Sequence, residues 1–68
     1  MIKEKRKSLG FTQEQVAAEL NISLRQYVRI DNEESLPRKD VLAKLIVELG
    51  LTNEEIGEYI KEITKNYA

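Results

Sequence analysis

Apolar residues in this chain recur at helical spacing, in blocks separated by turn residues. The first block predicts a helix from about Ile2 to Ser8, with Leu9 and Gly10 at its end. Thr12 then starts a second helix. Gln15 completes a capping box with it, and Phe11 and Val16 form a hydrophobic staple across the start. Val16, Ala17 and Leu20 make the inward face of that helix, and Asn21 stops it. The same signature follows at once: Ser23 and Gln26 form a box, and Ile22 and Tyr27 a staple. Two helices joined by so short a link must cross at a sharp angle, and the small Ala17 suits their close approach. Pro37 suits the first turn of a fourth helix, which presents Val41, Leu42, Leu45, Ile46 and Leu49 before Gly50. A third box (Thr52, Glu55) and staple (Leu51, Ile56) open a C-terminal helix over about 53–66. Its stripe runs through Ile56, Tyr59, Ile60 and Ile63 to Tyr67. The pattern predicts an all-α chain of five helices, with a helix-turn-helix at about 12–31.

Composition narrows the function classes. At 68 residues the chain reads as one domain, 1–68, with a core small enough to depend on good helix ends or a partner chain. With no cysteine there is neither a disulfide framework nor a thiolate metal site. With no histidine the commonest general base and metal ligand are missing. No phosphate loop, nucleophile elbow or metal-ligand spacing occurs, so the expectation is no enzyme, no catalytic residue, no metal and no cofactor. No apolar run reaches the roughly 18 residues of a membrane span, and the charged N-terminus is not a secretory signal, which predicts a cytoplasmic protein. The net charge of −1 and pI near 5.4 argue against indiscriminate nucleic-acid binding. The charge is polarised, however. Lys3, Lys5, Arg6 and Lys7 stand near the N-terminus against Glu4. Glu54, Glu55, Glu58 and Glu62 stand near the C-terminus against Lys61 and Lys65.

Projected at 100° per residue, the third helix turns Tyr27, Ile30 and Asp31 inward. Arg25, Val28 and Arg29 face outward, with Leu24 and Gln26 on the flanks. A helix presented by a tight turn fits the DNA major groove, and arginine's planar fork matches guanine O6 and N7 or a phosphate. Val28 or Leu24 suits contact with a thymine methyl. Two arginines on a helix face are by themselves only a solvated surface; the surrounding pattern turns them into candidate base readers. Gln13, at the second helix's N-terminus, is a candidate phosphate contact. Arg38 and Lys39 are others, since cations at a helix N-terminus oppose its dipole unless an external anion offsets them. Arg6 and Asp31 both fall on core-facing turns and are expected to pair inside the domain.

The run TQEQVAAELNIS, followed by Tyr27, Ile30 and Asp31, resembles the phage repressor and Cro-like helix-turn-helix proteins, also called the xenobiotic-response-element type. The resemblance spans roughly residues 2–57. It implies a five-helix, lambda-repressor-like domain. It implies that Gln13 contacts phosphate, that Leu24, Arg25, Gln26, Val28 and Arg29 read or flank bases, and that Arg6 pairs with Asp31. It also implies dimers on near-palindromic operators of double-stranded DNA. Departures are the acids Glu33 and Glu34 where relatives often carry glycine and basic residues, Tyr27 in place of Ile or Val, and Leu24 in place of a polar reader. The acids and Leu24 lower the affinity expected of a monomer. Ile60, Ile63 and Tyr67 are therefore candidate dimer contacts. Two readings follow: a sequence-specific transcriptional regulator of repressor type, or a protein-interaction module on the same fold, such as an antirepressor or regulatory subunit. No membrane or small-molecule ligand is implied.

Overall fold

The computed structural model describes residues 1–65. The described residues form five helices and no strand: α1 (Ile2–Ser8), α2 (Gln13–Leu20), α3 (Leu24–Asp31), α4 (Lys39–Leu49) and α5 (Asn53–Lys65). The predicted end of the last helix, at 66, and Tyr67 lie outside the described residues.

Three of these helices start by one device. In α2 the Thr12 hydroxyl accepts from the Gln15 amide at 3.1 Å, and the Gln15 side chain accepts from the Thr12 amide at 2.8 Å. Ser23 and Gln26 do the same for α3, and Thr52 and Glu55 for α5. Each box satisfies two amides that a helix start leaves without a partner, and one such cap contributes about 1 kcal/mol.

The ends share a second device. Asn21 sits at φ 56°, and the Ile22 amide reaches back to the Ala17 carbonyl at 3.1 Å. Asparagine tolerates this left-handed backbone and so breaks α2 from α3 within a few residues. Glu33 takes the same conformation after α3, at φ 57°, with the Glu34 amide donating to the Arg29 carbonyl at 2.9 Å. A residue with a Cβ is strained there, by about 1–2 kcal/mol.

The start of α4 differs from expectation. Pro37 is not in its first turn. Arg38 holds an extended ψ of 160° and serves as N-cap, so the helix begins at Lys39 and Pro37 is buried in the approach.

Helix α2 packs against α3 and α4, and α1 against α3. Ile2, Val16, Leu20, Tyr27, Leu45, Leu49, Tyr59 and Ile63 are closed off from solvent at the centre. This corrects the expectation for Ile63. It is 0% exposed within a single chain, so it is not available to a second one. The i, i+4 spacing from Tyr59 that suggested a free stripe instead carries α5 back across the core. Ile60, one residue round the helix from Tyr59, is only partly buried against that core.

Candidate nucleic-acid interface

The inner side of α3 is a closed polar junction. Asp31 is 1% exposed, and its carboxylate accepts four hydrogen bonds. Arg6 of α1 supplies two in a fork, Nε to Oδ1 at 3.0 Å and Nη2 to Oδ2 at 3.1 Å. The Tyr27 hydroxyl donates to Oδ1 at 3.0 Å, and the Gln13 side-chain amide to Oδ2 at 3.0 Å. That fills the roughly four lone-pair directions of a carboxylate. Arg6 Nη1 goes on to the Phe11 carbonyl at 2.8 Å. One acid thus ties α1, the turn after it and the start of α2 to the last turn of α3.

The electrostatics follow the geometry. Burial opposes the Asp31 charge, but the hydrogen bonds from Arg6, then Gln13 and Tyr27, more than offset it and hold the carboxyl below the ordinary carboxylate range. The bond to Asp31 in turn raises Arg6. Burial first, then the charge of Asp31, pushes the Tyr27 phenol up, so it remains a proton donor at neutral pH.

The outer side of α3 is open. Leu24, Arg25, Gln26 and Arg29 are exposed, and Val28 is half-buried. Neither Arg25 nor Arg29 has a hydrogen bond or ion pair with any described residue. Gln26 is partly committed: its Oε1 caps α3, which leaves the amide hydrogens as its free donors. Leu24, 44% exposed, offers only an apolar contact.

The expected phosphate contacts are placed unequally. Gln13 is half-buried and gives one amide hydrogen to Asp31, leaving the other. Lys39 is exposed in the first turn of α4. Arg38 lies 3.8 Å from Asp40, and both are solvent-exposed, which makes this a weak surface pair of about 0–1 kcal/mol. A groove of about 290 Å³ runs between α3 and the start of α4. Gln26, Ser35, Leu36 and Arg38 stand along it. The structure therefore brings Arg38 along the same groove as Gln26 on the flank of α3, although they are twelve positions apart in sequence.

The acid pair after α3 is also resolved. Glu33 turns inward and accepts from the α-amino group of Met1 at 3.1 Å, while Glu34 stays exposed. Of the two carboxylates, Glu34 alone faces outward without a partner among the described residues.

A helix-turn-helix family model of the Cro/C1 type matches residues 2–56. The chain belongs to that family. The Cro/C1-type domain is a DNA-binding one used in transcription regulation. No curated protein and no solved structure matches the chain. In this Cro/C1-type domain the match covers α1 to α4 and only the first turn of α5, yet Tyr59 and Ile63 beyond it complete the core. Among the described residues no helix is long and apolar enough to cross a membrane, and no group of carboxylates is arranged to hold a metal ion.

Two contributions were not legible from spacing alone. The Tyr27 hydroxyl and the Gln13 amide both serve Asp31. The available signal was Tyr27 four residues before Asp31, where side chains on one helix face meet. The larger tyrosine is accommodated because its polar tip has a buried acceptor.

Proposed function

We propose that this protein is a sequence-specific transcriptional regulator of repressor type that lays α3, at about residues 24–32, in the major groove of double-stranded DNA. The observation that carries the reading is the pair Arg25 and Arg29, without a partner among the described residues, on the exposed face of a helix whose other face is locked. Within a Cro/C1-type helix-turn-helix, both forks are open to a guanine edge or a phosphate, and either matches them. Leu24 and Val28 add apolar contact to thymine methyls, and Gln26 donates from the flank. Gln13, Arg38 and Lys39 hold the backbone on either side and set the register of α3.

We infer a homodimer on a near-palindromic operator. One short helix reads too few base pairs for useful specificity, and two half-sites one helical turn apart supply the rest. With Ile63 committed to the core, Ile60 remains the described residue of α5 that suits the contact, and Tyr67 lies outside the described residues. Occupancy of an operator excludes other proteins from the same groove, which is why repression is the simpler role.

The test is a selection of random DNA fragments at about 50 mM salt, where phosphate contacts remain strong. Wild type is compared with the Arg25→Ala, Arg29→Ala double variant. A palindromic motif enriched by wild type and lost in the variant is the expected result. No enrichment by a folded protein would replace this reading with a protein-interaction module on the same fold.

A further inference from the structure

Helices α2 and α4 leave a second groove between them, and no residue of α3 or of the loop after it lines it. Its two halves, of about 320 and 370 Å³, share Glu19 and Glu48. Phe11, Gln15, Val16 and Ala18 line the rest of the first half, and Ala43, Lys44 and Val47 the rest of the second. Val47 is 77% exposed, far more than Leu9, Leu24 or Leu36 at 44% each. A β-branched residue there has no helix-forming advantage, and any polar residue would serve the fold as well. Glu19 and Glu48 have no ion-pair partner among the described residues. The surface is thus two largely apolar hollows that share a pair of carboxylates, with one cation, Lys44, at the second.

We propose that this groove docks a partner protein through an apolar–basic–apolar segment. The partner's arginine or lysine sits between Glu19 and Glu48, and the apolar side chains on either side fill the two hollows. Charge selects this occupant. Two carboxylates against one lysine leave the lining net negative, which disfavours nucleic acid and an acidic peptide. A second copy would bring the same net negative lining, two carboxylates against one lysine, which disfavours a symmetric contact through this groove. The site is separate from the α3 face, so a partner can sit there while α3 engages DNA. The proposal does not depend on which DNA sequence is read.

A library of random displayed peptides is selected against the whole chain, with the Val47→Asp variant as counter-bait. Enriched sequences should place Arg or Lys between apolar residues. A synthetic peptide of that sequence should move the amide NMR signals of Ala18, Glu19, Ala43, Val47 and Glu48. Its affinity should fall about tenfold or more both for Val47→Asp and for the Glu19→Gln, Glu48→Gln double variant. Both variants alter exposed or rim positions, and unchanged circular dichroism and DNA binding will show that the fold is intact. The proposal is overturned if no motif or an acidic one is enriched, or if the shifts map to α5. It is also overturned if sedimentation shows that Val47→Asp instead abolishes self-association.

Discussion

Arg6 and the pair Arg25–Arg29 are the same residue type within one small domain, with opposite fates. Arg6 is buried, forked onto Asp31, with another donor on a backbone carbonyl. Arg25 and Arg29 are exposed and have no partner among the described residues. The inner junction is saturated and the outer face is not. On the proposed function, that difference separates a residue that builds α3's position from one that uses it: mutations inside should act on stability, and mutations outside on DNA.

The largest effect is expected inside. Asp31→Ala leaves the Arg6 guanidinium buried without its carboxylate and should cost about 3–5 kcal/mol. That is a large part of the total stability of a domain this size, which urea unfolding of the variant beside wild type will measure. If the loss were below about 1 kcal/mol, the junction would not hold the three helices together.

Acid should act on the same junction more gradually. The Asp31 carboxyl lies below its usual range when folded, so the folded state holds its proton more weakly than the unfolded chain. Its contribution is fully present above the unfolded value of about 3.9, and is lost as pH falls through the lower folded value. Urea midpoints followed downward from pH 6 should drop steeply below about pH 4 in wild type and less in Asp31→Asn. Equal slopes would place the acid sensitivity in other carboxylates.

Tyr27→Phe probes one bond of the four without opening a cavity. Loss of a hydrogen bond to a charged acceptor should cost about 1.5–3 kcal/mol in thermal or urea unfolding. DNA affinity measured well below the melting temperature should change little. A variant with unaltered stability would mean that Arg6 and Gln13 suffice to satisfy Asp31.

On the outer face the readout reverses. Arg25→Ala should leave stability within about 0.5 kcal/mol but cost about 1–3 kcal/mol on the preferred DNA site and relax specificity there. Arg38→Ala should weaken all sequences alike and reduce the salt slope by about one. Competition binding at several salt concentrations separates the two. A uniform loss for Arg25→Ala would make it a backbone contact.

Much of this architecture is legible in local sequence because its devices are local. A capping box needs only residues three apart, so Thr12 with Gln15, Ser23 with Gln26 and Thr52 with Glu55 announce their helices before any tertiary contact forms. Asn21 marks its turn because few residues accept a left-handed backbone. Glu33 carries no such mark. It holds the same conformation all the same, and its carboxylate pairs with Met1, 32 residues away.

Helical periodicity also assigned the inward and outward faces of α3, since the angle between side chains depends only on the helix itself. Periodicity could not say what each face meets. Ile63 looked free for a second chain because a stripe records which side of a helix is apolar, not whether that side is already covered. Only the packed fold closed α5 over the core, gathered four donors around Asp31, set Arg38 beside α3 and left Val47 outside. Helix type, face polarity and the boxed helix starts are short-range properties, which this sequence determined by itself. Partnership between distant side chains depends on where several helices come to rest together, and that was decided in three dimensions.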